Sequence, residues 1–325
     1  MKKTKLMIAL LAGLTLGACS SDNDELTPQP KQEPLFPLTI EVTENPMTQD
    51  GEEGSDATRS DITTGTTFNS FNMSYVDLTT PGKGGPIEAS KSETGKWSSE
   101  GSWPYSARTN DYMVNWYAYT GGTFHPTGDE SASSEPYINF SVDETVDNQK
   151  DLLVATTAKK WSECNGNLSF AFDHVCSALR FWVKKSTNLN DKTVSVSSIV
   201  LKNVIKNGKY YYGTDSWTLG TESTDITDFT LYSGSPQTLG STDYTAMDGG
   251  TPCYLFLVPQ TLTPWSPTGT LGNTYLEVTC SINGGASQTA YVPFGTSFEK
   301  GKKYDVKINI GKNSLYSGPN TKLIP

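Results

Sequence analysis

Along most of the chain, apolar and polar residues alternate in short runs broken by clusters of Gly, Pro, Asn and Ser, and no segment sustains a helical repeat. Successive side chains on a strand point to opposite faces, so this period of two marks strands with one buried face. The clearest runs are 38–43, 68–76, 112–119, 138–142, 168–172, 178–183, 194–204, 254–258, 275–282 and 304–310. The predicted fold class is all-β. In 112–119 one face would carry Tyr112, Val114, Trp116 and Ala118, and the other Met113, Asn115, Tyr117 and Tyr119. Both faces are largely apolar, as expected of a strand covered on both sides within a sandwich. Asn207-Gly208 and Asn283-Gly284 separate strand-like runs and predict hairpin turns, because both residue types tolerate positive φ.

The start of the chain breaks this pattern. Lys2, Lys3 and Lys5 precede an apolar stretch, 6–16, and then Gly17-Ala18-Cys19, the layout of a secretory signal. That stretch is too short to cross a hydrocarbon core as a helix, and no later segment is long or apolar enough to do so. Leu16-Gly17-Ala18-Cys19 matches the bacterial lipobox. Removal of signal peptide 1–18 is therefore expected to leave a lipidated Cys19 as the membrane tether, making the chain an outer-membrane lipoprotein. Residues 19–36 are polar and Pro-rich, the composition of a flexible leash. Their acidic cluster, Asp22, Asp24 and Glu25, resembles the tag behind the lipidated cysteine of Bacteroides-type lipoproteins bound for the cell surface.

The length beyond the leash suits two domains. The polar stretch 158–165 is the expected boundary, giving β-sandwiches over 37–161 and 162–312 and a tail over 313–325. A formal net charge of −10 argues against a nucleic-acid partner, since phosphate binding needs concentrated Lys and Arg. Four cysteines follow Cys19, namely Cys164, Cys176, Cys253 and Cys280, and three pairings are open to them. Cys280 shares an alternating face with Leu276, Val278 and Ile282, which reads as a small buried apolar residue.

Reactive constellations are hard to find. The chain has two histidines, His125 in a loop before Pro126 and His174 after Phe172-Asp173, which read as surface and turn or packing residues. No nucleophile elbow, zinc-protease helix, phosphate loop or EF-hand pattern occurs. No cofactor or metal is expected, and an enzyme using loop carboxylates is a distant alternative. Aromatic residues crowd 97–124; most would pack on strand faces. Trp97 and Trp103 lie among Ser and Gly, are expected to be exposed, and are candidate glycan contacts.

Five stretches in order carry a family likeness: Val114-Asn115-Trp116-Tyr117-Ala118-Tyr119; Gln149-Lys150-Asp151-Leu152-Leu153-Val154-Ala155; Leu168-Ser169-Phe170-Ala171-Phe172-Asp173-His174 with Ala178-Leu179-Arg180-Phe181; Tyr254-Leu255-Phe256-Leu257-Val258-Pro259-Gln260; and Gly301-Lys302-Lys303-Tyr304-Asp305-Val306. Together, behind a lipobox, they resemble the fimbrillins, the type V pilin subunits of Bacteroides-type bacteria. The resemblance implies two tandem transthyretin-like β-sandwich domains and a fibre-building, adhesive function without enzymatic activity. It also implies a trypsin-like cut after an arginine near the N-terminus. That cut removes the first strand and opens a groove for a strand of another subunit.

In this chain Leu38, Ile40 and Val42 alternate with Thr39, Glu41 and Thr43, so 38–43 is the candidate removable strand. Arg59 is the sole arginine before Arg108 and is the candidate maturation site. After Ile310, Gly311, Gly318, Pro319 and Pro325 make a poor donor strand, which leaves stalk, tip and anchor roles open. Expected partners are other fimbrial subunits, the membrane through Cys19, and a host or bacterial receptor or glycan. The alternative function is a surface lipoprotein that binds glycans through exposed aromatics.

Overall fold

The computed structural model describes residues 36–49, 68–77, 83–126, 135–247, 254–265 and 273–311. Over these the chain is all-β. The strands are β1 (Thr39–Glu44), β2 (Thr48–Gln49), β3 (Ser70–Asp77), β4 (Lys83–Lys91), β5 (Trp97–Ser99), β6 (Val114–Tyr119), β7 (Thr123–His125), β8 (Tyr137–Ser141), β9 (Leu153–Lys159) and β10 (Asn167–His174). They continue with β11 (Ser177–Lys185), β12 (Val194–Ile205), β13 (Asn207–Tyr211), β14 (Ser216–Leu219), β15 (Ile226–Thr238), β16 (Thr245–Ala246), β17 (Leu255–Leu257), β18 (Tyr275–Ile282), β19 (Gln288–Pro293) and β20 (Lys302–Ile310). Two short helices, α1 (Tyr105–Thr109) and α2 (Trp161–Cys164), lie between strands.

A seven-stranded sheet runs in the order β1-β10-β9-β6-β3-β4-β5. A second sheet holds β16-β11-β20-β2, with β17 also paired to β11. Two four-stranded sheets follow the orders β15-β12-β18-β19 and β14-β13-β8-β7.

Two apolar cores hold these sheets. The first gathers Leu38, Ile40, Phe71, Met73, Trp97, Trp103, Trp116, Leu168, Phe170 and Phe172. The second gathers, among others, Ile138, Phe140, Leu179, Val183, Ile199, Leu201, Phe229, Leu276, Val278 and Ile308. The doubly apolar pattern of 112–119 has its cause here. Val114, Trp116 and Ala118 of β6 face the first core, whereas Tyr119 belongs to the second. On that second side Tyr117 packs edge-on to Tyr212 at 5.0 Å, and the Tyr212 hydroxyl donates to the Ala118 carbonyl at 3.0 Å.

Local rules are obeyed where the chain bends. Val194 and Val196 of β12 point inward, then Ile199 and Leu201, and the change of parity coincides with a register shift between Val196 and Ser198. An extra residue there returns the apolar side chains to the core face. Asn283 and Gly284 turn between β18 and β19 with φ of 50° and 69°, and the Gly285 N–H donates to the Ile282 carbonyl at 2.9 Å. This is the expected hairpin. Asn207-Gly208 is not one: both residues lie in β13, and Gly208 is flanked by Phe140 and Leu219. A Cβ at Gly208 would come within 2.8 Å of the Thr218 carbonyl oxygen, so close backbone approach explains the glycine.

The polar stretch 158–165 holds α2 rather than an open linker, and it leads into β10, whose Leu168, Phe170 and Phe172 complete the first core. In β10 burial alternates residue by residue from Asn167 to His174, with Leu168, Phe170, Phe172 and His174 inside. Phe170→Ala is therefore expected to cost about 3–5 kcal/mol in urea unfolding. Ala171→Ser, on the exposed face of the same strand, should stay within about 0.5 kcal/mol.

Candidate functional site

The most distinctive local arrangement is the strap formed by residues 36–49. Its β1 lies at the edge of the seven-stranded sheet and runs parallel to β10, in register from Thr39 opposite Asn167 to Glu44 opposite Phe172. Leu38 and Ile40 are buried and Val42 is half-buried, while Thr39, Glu41 and Thr43 face solvent. These apolar side chains stand beside the Leu168, Phe170 and Phe172 row on the same face of the sheet. On its other side β10 meets β9 only at Asp173 and His174. Between Asn167 and Phe172, β1 is thus the paired neighbour of β10.

Both ends of the strap are fastened. At the start, the Phe36 carbonyl accepts from the Trp103 N–H at 3.0 Å. The Arg108 guanidinium sits 3.4 Å from the centre of the Phe36 ring, and Trp161 meets that ring edge-on at 5.5 Å. Further along, the Asn45 N–H donates to the Phe172 carbonyl at 2.8 Å and the Thr48 N–H to the Gly301 carbonyl at 3.0 Å. Met47 is buried, and β2 then adds to β20 in parallel.

A charged cluster closes the groove at the β2 end. His174 continues the inward row of β10 and is 6% exposed. Its Nδ1 contacts Asp151 Oδ2, and its Nε2 lies 3.1 Å from Glu44 Oε1 on β1. Burial opposes charging the ring, but the hydrogen bonds and charges of Asp151 and Glu44 overcome it and raise the pKa from 6.5 to about 9. The imidazolium is therefore the charge that two sparsely hydrated carboxylates share. Both ring nitrogens are engaged, so neither is free to serve as a general base. Cys176 adjoins Asp151 and is wholly buried, and burial pushes its thiol well above the ordinary range.

Of the residues singled out from sequence, Leu38, just ahead of β1, and Ile40 and Val42 within it come together on one face beside β10. Cys19, Arg59, Cys253 and the tail 313–325 lie outside the described residues. Trp97 and Trp103 require correction. They are 9% and 2% exposed, buried in the first core: Trp97 packs against Phe68 and Phe71, each at 5.2 Å, and Trp103 lies between Trp116 and Trp161 at 5.5 and 5.7 Å. Trp97 and its Ser neighbours form β5 of the sheet itself, and both indoles turn into the core, so neither offers a face to a sugar. Cys164, Cys176 and Cys280 are free thiols, each buried, and burial raises Cys280 to about 11. His125 stacks on Tyr137 at 4.6 Å. The His174 cluster was not foreseen, although Leu168, Phe170, Phe172 and His174 already shared a parity that places the histidine indoors.

The architecture is that of an all-β chain of several sheets in which a strand from the start of the described residues, β1, forms the edge of the seven-stranded sheet. The family model described as fimbrillin-like matches residues 54–322, and the chain belongs to that family. A fimbrial protein from Bacteroides vulgatus shares the fold at TM-score 0.55 and 17% identity, over 86% of this chain and 96% of that one. Two candidate cell adhesion proteins align less closely. The one from Bacteroides ovatus has TM-score 0.48 and 15% identity over 87% of this chain and 95% of its own; the one from Bacteroides uniformis has 0.46 and 16% over 88% and 96%. No curated protein matches the chain.

The raised pKa of His174 has a definite sign. Its contribution to stability is complete below about 6.5, the unfolded value, and disappears as pH rises through about 9. An NMR titration of His174 is expected to give a midpoint near 9, and the melting temperature should fall between pH 7 and pH 10 more steeply than in His174→Gln. A midpoint near 6.5 would contradict the geometry.

Proposed function

We propose that this chain is a structural subunit of a surface fimbria, exported as a lipoprotein through Cys19 and joined to neighbouring subunits by exchange of the strand at β1. The observation that carries this reading is the edge position of β1. Its backbone pairs with β10, its alternate side chains enter the first core, and the whole strap 36–49 precedes Arg59 in sequence. One cut after Arg59 would sever the strap from the body, leaving it held by non-covalent contacts alone. Its departure would expose a row of unpaired N–H and C=O groups above an apolar trough, the physical basis of strand addition.

Membership in the fimbrillin-like family supports the assignment to a surface fibre and a structural rather than enzymatic role. The lipid on Cys19 would hold the precursor to the outer membrane; among the described residues no helix is long and apolar enough to cross one. The two apolar cores support a division into two sandwich units, with β10 counted in the first. A glycan-binding role through Trp97 and Trp103 loses its basis, since both are buried. The Gly- and Pro-bearing tail beyond Ile310 favours a tip or anchor position over a repeating stalk, because it is poorly suited to donate a long strand.

The test is the N-terminus of the protein in assembled fibres. Sequencing is expected to begin at Ser60, and Arg59→Ala should leave the subunit at the membrane and out of the fibre. A start at lipidated Cys19 in assembled material would remove the exchange step for this subunit.

A further inference from the structure

We propose that the edge of β10 selects its strand by charge as well as by shape: its occupant is a strand of a different fimbrial subunit, bearing three alternating apolar residues and then, next in that alternation, an Asp or Glu that reaches His174. This rests on the strand-exchange reading above and adds the residue that fixes partner and register. The present occupant supplies the pattern. Leu38, just ahead of β1, shares the inward face with Ile40, Val42 and Glu44 of that strand, and Glu44 places a carboxylate oxygen 3.1 Å from His174 Nε2. The other ring nitrogen is committed to Asp151. When β1 leaves, the Nε2–H at the end of the trough loses Glu44 as its acceptor and faces water.

A strand with an apolar residue at that place would bury the donor unsatisfied, which costs more than the extra apolar contact returns. A strand shifted by one residue would turn its acidic group to solvent and its polar face to the core. Charge at the end of the trough therefore fixes register along a row of interchangeable apolar contacts. A second copy of this chain is a poor donor through its tail, because residues 311–325 contain no Asp or Glu. Among the described residues, Glu44 and Asp151 are the charged side chains on His174, with the Cys176 thiol beside Asp151.

The test uses the full-length chain with a site-specific protease sequence replacing residues 57–60, cut on demand, and labelled peptides spanning residues 36–49. The native peptide is expected to enter the groove. Glu44→Leu in the peptide should bind at least about tenfold more weakly, whereas Glu41→Leu, on the solvent face, stays within about threefold. The penalty for Glu44→Leu should shrink as the pH is raised past about 9, where His174 loses its proton. A peptide of residues 311–325 should not compete. Purely apolar selection predicts the reverse, because leucine would bind more tightly than glutamate. Equal or tighter binding of Glu44→Leu, or competition by the 311–325 peptide, overturns the proposal while leaving strand exchange intact. An Ile40→Ser peptide that binds like the native one, or entry by no peptide, overturns strand exchange and this proposal with it.

Discussion

Strand β10 turns Leu168, Phe170, Phe172 and His174 toward the interior and presents a backbone edge that, among the described residues, β1 pairs between Asn167 and Phe172. The cover for that edge comes from the far end of the chain, more than a hundred residues earlier. An edge with an apolar trough beneath it cannot remain bare in water: the backbone groups could be hydrated, but the aromatic floor could not. The first core is thus completed by a piece of chain that is adjacent in space and remote in sequence. The fold and the proposed means of assembly share this requirement.

The alternation of apolar residues made most long strands legible, and Tyr275–Ile282 agrees residue for residue with its expected run. Its failures have physical causes. Lys83–Lys91 carries Gly84, Gly85 and Pro86, so nothing in its composition marked it as a strand; pairing with β3 and β5 makes it one. Gln288–Pro293 buries only Ala290 and is held through its ladder to β18. Asn207-Gly208 has the composition of a turn, yet tight backbone packing uses the same residues. The Ser and Gly around Trp97 and Trp103 are no guide to their burial, because two large indoles are drawn into a core whatever their neighbours are.

The candidate site was half visible. Leu38, Ile40 and Val42 announced an amphipathic strand by themselves, because burial of a strand face is a local pattern. The ion cluster is not local. Glu44, Asp151 and His174 come from three separate stretches: the register of β1 on β10 brings Glu44 to His174, and the pairing of β10 with β9 brings Asp151. Parity placed His174 inside, but no rule of sequence names its partners.

The strap also has a direction. Its Phe36 end is clamped by Arg108, Trp103 and Trp161, while its other end is secured by two paired residues of β2 and the buried Met47. If the proposed cut after Arg59 is made, the new chain end lies on the β2 side, so loosening from that end would pass Gln49 and the Glu44 contact before it reached Ile40 and Leu38. Under the proposed exchange such a strap would behave like a zip with its stop at Phe36: an incoming strand would seat its acidic group while the deepest apolar contacts were still covered. The hydrophobic trough need never stand open to water along its whole length.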